Sequence, residues 1–146
     1  MPIFGGMNYW LLKSEPDVYS FDKLTKEGKG IWDGVRNYQA RNNLRDMLVG
    51  DIALFYHSNI GQEIVGIAKI TASSFPDPTI DDDRWLAVEV APVRPLKKPV
   101  SLKTLKADPQ FADFILVRHS RLSVMPVSRD HFDAILALSE LRANAA

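Results

Sequence analysis

The side chains best equipped for chemistry fall in one run, Trp32-Asp33-Gly34-Val35-Arg36-Asn37-Tyr38-Gln39-Ala40-Arg41-Asn42-Asn43-Leu44-Arg45. An aromatic ring and a glycine lead into arginines and amides, and within the run only Asp33 opposes the positive charge. Arg, Asn and Gln form paired hydrogen bonds that match nucleobase edges, and Trp or Tyr offers an unstacked base a surface to lie on. A surface helix shaped by stability alone would favour Glu and Lys, which form helix well and pair at four-residue spacing. The stretch Asn37 to Asn43 therefore reads as a recognition surface. Asn37 and Gln39 are the preferred readers of a base edge, whereas Asn42 and Asn43 are expected to satisfy backbone groups. Arg36 either joins the readers or pairs with Asp33 or Asp51. Arg41 is a candidate contact to a nucleic-acid backbone.

These residues need elements to hold them. Ile31 and Trp32 form a brief extended segment, Gly34 permits close backbone approach, and a helix is expected over Asn37 to Met47. Upstream, Tyr9 to Lys13 reads as a strand ended by Ser14-Glu15-Pro16, since proline donates nothing to a ladder. Ser20 caps a short helix that stops at Gly28-Lys29-Gly30. Strands are expected at Asp51 to Tyr56 and Glu63 to Thr71, joined by a hairpin-type turn over Ser58 to Gln62. A loop at Asp81 to Arg84 precedes a strand from Trp85 to Val90, and Pro92 to Pro99 reads as a connection. Ser101 caps a helical turn through Lys106. Leu122 to Val127 is a late strand, and Ser128 caps a final helix from Arg129 to Leu138. Residues 1–7 are expected to be a poorly ordered extension, 8–140 one domain, and 141–146 a tail. Short strands mixed with short helices imply an α+β fold, a small mixed β-barrel flanked by short helices.

Tyr56-His57-Ser58 ends the second strand. Alternation places Tyr56 and Ser58 on one side and His57 on the other, so Tyr56 is read as a ring wall and Ser58 as a hydrogen-bond partner. His57 is the weaker candidate, and no second His or carboxylate stands at metal spacing, so no metal is expected. Ser14 and Glu15 serve either as polar contacts at a pocket mouth or as caps of the following turn. Consecutive residues at a strand end rarely face each other, so Lys13-Ser14-Glu15 makes a poor nucleophile–base set. There is no Ser-His-Asp set and no paired carboxylate site, so no catalytic residue is assigned.

Eighteen Lys and Arg balance eighteen Asp and Glu, which argues against a protein that grips nucleic acid mainly through phosphates. The charge is uneven: Arg94, Lys97, Lys98, Lys103 and Lys106 cluster without an acid, whereas Asp77 and Asp81 to Asp83 read as an acidic patch. The absence of cysteine removes disulfides and thiolate chemistry. No apolar run is long enough to span a bilayer. A cytoplasmic location is the expectation that fits.

Four stretches in order carry a family resemblance: Tyr9-Trp10-Leu11-Leu12-Lys13-Ser14-Glu15-Pro16, the Trp32 run, Gly50-Asp51-Ile52-Ala53-Leu54-Phe55-Tyr56-His57-Ser58-Asn59, and Arg121-Leu122-Ser123-Val124-Met125-Pro126-Val127. Together they make the chain resemble the EVE domain family from about Asn8 to Leu138. The resemblance implies a PUA-like fold, related to YTH and ASCH domains, with a pocket for a modified nucleobase such as a methylated cytosine. It makes Trp32 one wall of a base cage, with Trp10 as a further ring and Gly34 and Val35 beside the base. Arg118 and Arg121 become candidates for a phosphate or base contact, and Lys13 for a backbone contact. The implied partner is DNA or RNA with the modified base single-stranded or flipped out, and no cofactor, metal or membrane is implied. Proposed hydrolases among ASCH domains supply an alternative, an amidohydrolase-like enzyme acting on a nucleoside or related amide, with Lys13 and Glu15 carrying protons. A ligand-sensing module is the third reading. The chain departs from many family members in one place: their longer insertion after Phe75 to Thr79 shrinks here to Ile80-Asp81-Asp82-Asp83-Arg84, which implies a more open or differently selective pocket.

Overall fold

The elements run β1 (Tyr9–Ser14), α1 (Phe21–Glu27), β2 (Gly30–Trp32), α2 (Tyr38–Asp46), β3 (Ile52–His57), β4 (Glu63–Pro76) and β5 (Leu86–Ser101). They continue through α3 (Leu102–Ala107), a 3-10 turn (Pro109–Phe111), α4 (Ile115–Arg118), β6 (Val124–Val127) and α5 (Arg129–Asn144). The computed structural model describes residues 7–119 and 121–144. The expected extension therefore lies almost wholly outside the described residues, as do the last two positions of the expected tail. Residues up to Asn144 continue α5 past the expected boundary at 140.

One sheet holds all six strands in the order β2-β5-β4-β3-β1-β6. β1 runs parallel to β3, and its other neighbour, β6, is antiparallel. The fold is α+β and PUA-like, and the sheet is not closed: among the described residues no ladder joins β2 to β6. Leu11 and Leu12 on β1, and Ala53, Leu54 and Phe55 on β3, have no exposed surface. Consecutive buried positions mean that both faces of the central strands are covered, which suits a parallel pair. α5 covers part of this sheet through Tyr9 stacked on Phe132, with ring centres 4.3 Å apart. Ser139 fastens the same helix to β5, donating its hydroxyl to the Lys98 carbonyl at 2.8 Å and accepting the Lys98 N–H at 3.0 Å.

The caps follow from residue type. Ser20, Asn37, Ser101 and Ser128 each accept a backbone N–H of the helix that follows, at 2.9–3.1 Å. Each such cap stabilises its helix by about 1 kcal/mol. Two strands run longer than expected. β4 continues past Thr71 to Pro76, and Pro92 to Pro99, expected as a connection, belongs to β5. The reason lies in pairing: β2 meets only Val88 to Val90, so beyond Val90 one side of β5 has no strand partner, where prolines are tolerated. Register shifts along β4–β5 absorb the remaining irregularity.

Candidate functional site

A cavity of about 660 Å³ opens where the C-terminal ends of β1 and β3 meet β2. The end of β1 and the loop after it contribute Lys13, Ser14, Glu15, Val18 and Tyr19, and α1 adds Glu27. β2 and the following loop contribute Gly30 to Arg36, while Ser58, Arg121 and Ser123 complete the rim. Backbone bonds tie these ends together: the Ser58 N–H donates to the Ser14 carbonyl and the Lys13 N–H to the Ser123 carbonyl, both at 2.9 Å.

Trp32 is the aromatic wall, only 7% exposed. Its ring meets Phe55 edge-on at 5.4 Å and Tyr19 at 6.3 Å, so two perpendicular neighbours fix its plane. Gly30 makes this possible, because a side chain there would collide with the Tyr19 hydroxyl. That hydroxyl donates to Glu27 Oε1 at 3.0 Å. Burial, then the Glu27 bond and the charges of Glu27 and Asp33, push the Tyr19 phenol up to about 12, so it stays a protonated donor near neutral pH.

The loop after Trp32 is held from beneath by Asp77. This residue does not belong to an exposed acidic patch; it is 2% exposed. Its Oδ2 accepts the Gly34 N–H at 2.8 Å and Arg36 Nη1 at 2.9 Å. Its Oδ1 accepts the Thr79 N–H at 2.8 Å and the Thr79 hydroxyl at 2.6 Å. Burial alone would raise the carboxyl pKa, but the bonds from Thr79, Gly34 and Arg36 outweigh it and hold the value at about 2. Gly34 sits at φ +78°, the left-handed region where glycine carries no penalty. Arg36 thus pairs with Asp77 rather than Asp33 or Asp51, and its guanidinium lies 5.8 Å from the centre of the Trp85 ring. Asp33 faces the cavity with its pKa raised, by burial first and by the Asp77 charge second.

Of the residues singled out in the sequence, Lys13, Ser14, Glu15, Trp32, Gly34, Val35, Arg36, Ser58 and Arg121 converge on this cavity. Trp10, Tyr56 and His57 do not line it. Trp10 is a core residue whose indole N–H donates to Asp51 Oδ2 at 3.0 Å. Tyr56 is 2% exposed, and β3 ends at His57, so strand alternation does not carry on to Ser58. It stands behind Lys13, whose Nζ lies 5.9 Å from the ring centre; burial lowers the Lys13 pKa. His57 accepts the Phe21 N–H on Nε2 at 3.1 Å and so anchors the start of α1. Burial pulls its pKa below the usual imidazole value, with Asp22 and Glu63 opposing.

Asn37, Gln39, Arg118 and Arg121 line a second hollow of about 350 Å³, together with His119 and Leu122. Arg41 lines neither space; it donates to the Arg84 carbonyl at 3.0 Å and to Asn42 Oδ1 at 2.9 Å. Asn43 satisfies a backbone group, the Val124 carbonyl at 2.7 Å, whereas Asn42 instead receives Arg41. Sequence reasoning missed Val18, Tyr19, Glu27, Gly30, Ile31 and Ser123 in the cavity, and Asp77 and Thr79 beneath it. Gly30 beside Trp32 was a signal for close approach, but nothing local links Asp77 to an arginine 41 positions away. Among the described residues no group of three or more His, Asp or Glu side chains converges as a metal site would, and no helix is long and apolar enough to cross a membrane.

An open six-stranded sheet with this arrangement of helices defines an α+β domain of the PUA-like class. The chain belongs to the EVE domain family, which matches residues 8–138. Thymocyte nuclear protein 1 of Mus musculus is 39% identical over 167 aligned positions, covering 91% of this chain and 74% of that protein. The alignment exceeds the 146 residues of this chain, so the mouse protein carries insertions absent here. Protein Atu2648 from Agrobacterium tumefaciens superposes with a TM-score of 0.89 at 44% identity, over 90% of this chain and 92% of its own. Human THYN1, in a crystal structure with 5-methylcytosine-containing DNA, superposes with a TM-score of 0.86 at 35% identity, over 91% and 98% of the two chains.

Proposed function

We propose that this protein is a non-enzymatic reader that draws one modified base, of the methylated-cytosine type, out of DNA or RNA and into the cavity beside Trp32. The observation that carries the reading is the fixed Trp32 wall over a polar-rimmed cavity of about 660 Å³, within the usual range for small-ligand sites. The human relative held with 5-methylcytosine DNA supports the ligand class. Stacking on the indole contributes roughly 1–3 kcal/mol. The exocyclic amine of a cytosine-type base finds acceptors in Glu15 and Asp33, and its carbonyl finds donors in Ser58 and Lys13. A buried methyl group adds about 0.8 kcal/mol, roughly a fourfold preference over the unmodified base. Extrusion from a duplex costs a few kcal/mol, so single-stranded or distorted sites bind best, with micromolar affinity for the isolated protein.

Binding is favoured over catalysis by Ser14, whose hydroxyl donates to the Tyr19 carbonyl at 2.7 Å rather than to a base. The test is fluorescence anisotropy with short single-stranded DNA and RNA carrying cytosine, 5-methylcytosine or 5-hydroxymethylcytosine. Wild type is compared with Trp32→Ala and Trp32→Leu, melting curves confirm folding, and the recovered oligomers are weighed by mass spectrometry. A modified oligomer bound preferentially and returned intact, with the preference lost in a folded variant, is the expected result. Loss of an amine from the bound base would instead establish an enzyme. Failure of every oligomer to bind wild type at high micromolar concentration would sink the reader.

A further inference from the structure

We infer that the hollow lined by Asn37, Gln39, Arg118, His119, Arg121 and Leu122 is a phosphate site for the nucleotide adjoining the one whose base enters the cavity. The protein then grips at least a dinucleotide rather than a lone base; the inference rests on the base-reading function proposed above. Continuity is the first support. Arg121 lines both spaces, and Asn37 in the hollow directly follows Arg36 in the cavity.

Charge is the second. The hollow contains two exposed arginines and no acid, and among the described residues neither guanidinium forms an ion pair. The cavity carries Glu15, Glu27 and Asp33 against Lys13 and the shared Arg121, and its Arg36 is committed to Asp77. A phosphodiester is repelled from those carboxylates and drawn to the arginine side, while the neutral base takes the aromatic side. Donor chemistry is the third support. Arginine forks match phosphate oxygens, and Gln39 can add a neutral donor. Asn37 uses Oδ1 on the Ala40 N–H, so the end it offers a ligand is the donor Nδ2. The formal net charge is zero, so the phosphate contribution must be local and small.

Neutralising one phosphate of a single strand predicts a log–log salt slope of about −0.7. The probes are nucleosides and trinucleotides with a central cytosine, 5-methylcytosine or 5-hydroxymethylcytosine, the trinucleotides prepared with natural linkages or with either flanking phosphate replaced by an uncharged methylphosphonate. For the member bound best, the trinucleotide should outbind its nucleoside. One methylphosphonate substitution should remove most of that advantage. Arg118→Ala should cut the trinucleotide's advantage roughly tenfold and flatten the salt slope, and Arg118→Lys should restore the slope. Equal loss from both methylphosphonates, or a trinucleotide advantage indifferent to Arg118→Ala, overturns the second site and leaves the base cavity standing. Failure of wild type to bind any probe overturns the base-reading function and the second site with it.

Discussion

On the proposed function Trp32 supplies the surface a base lies on, while Asp77 holds the loop beside it. Replacing Trp32 with Leu keeps apolar volume in the core but removes the stacking plane, and oligomer affinity should fall roughly ten- to hundredfold. Asp77→Asn should act differently. It retains shape but leaves Gly34, Arg36 and Thr79 sharing a neutral acceptor, so stability should drop by roughly 1–3 kcal/mol in urea titration. Affinity should fall with it as the Gly34–Arg36 loop loosens, and an affinity unchanged in the folded variant would separate Asp77 from the site. Trp32 was legible because a glycine and an amide-rich helix surround it in sequence. Trp10 and Tyr56 were misplaced because residue type cannot tell a pocket ring from a core ring: Trp10 is held by Asp51, and Tyr56 is buried behind Lys13. Asp77 was read into an acidic patch because two of its partners, Gly34 and Arg36, come from another part of the chain.

At the scale of elements, three helix starts were readable from their caps, Ser20, Ser101 and Ser128, and Asn37 caps α2 in the same way. The same fact revises Asn37, whose carbonyl oxygen is occupied by its own helix. The strands were less legible where their partners vary, as β5 shows: its prolines suit a strand that has lost one neighbour. Packing of α1 onto β4 depends on Gly66, where an added Cβ would sit 2.5 Å from the Phe21 ring. Gly66→Ala should therefore destabilise by roughly 1–3 kcal/mol through overpacking, measured by denaturant unfolding. If α1 instead shifts freely, stability will be unchanged. The loop over Ile80 to Arg84 is not loose: Arg84 bridges Asp82 at 2.6 Å and Arg41 donates to its carbonyl, so it braces α2 next to the cavity.

Across the whole molecule, stability should respond to pH in two windows. His57 has a folded pKa below 6.5, so on acidification the unfolded chain takes up the proton first. The stability of its neutral form is present above about pH 6.5 and lost as pH falls through the lowered folded value. Asp77, held at about 2, contributes stability above about pH 4 that is lost as pH falls toward 2. Melting temperatures between pH 7 and 5 should fall in wild type and flatten in His57→Gln, which keeps an acceptor for the Phe21 N–H but cannot titrate; an unchanged slope would remove His57 from that window. The central claim, that a modified base lies against Trp32, is tested most directly by nuclear magnetic resonance. The three tryptophans, Trp10, Trp32 and Trp85, each give one indole N–H signal. Titration with a single-stranded 5-methylcytosine oligomer should shift the Trp32 indole and the Gly34 and Val35 amides while leaving the Trp10 indole in place. Saturable shifts that spare Trp32 and gather elsewhere on the surface would contradict the account.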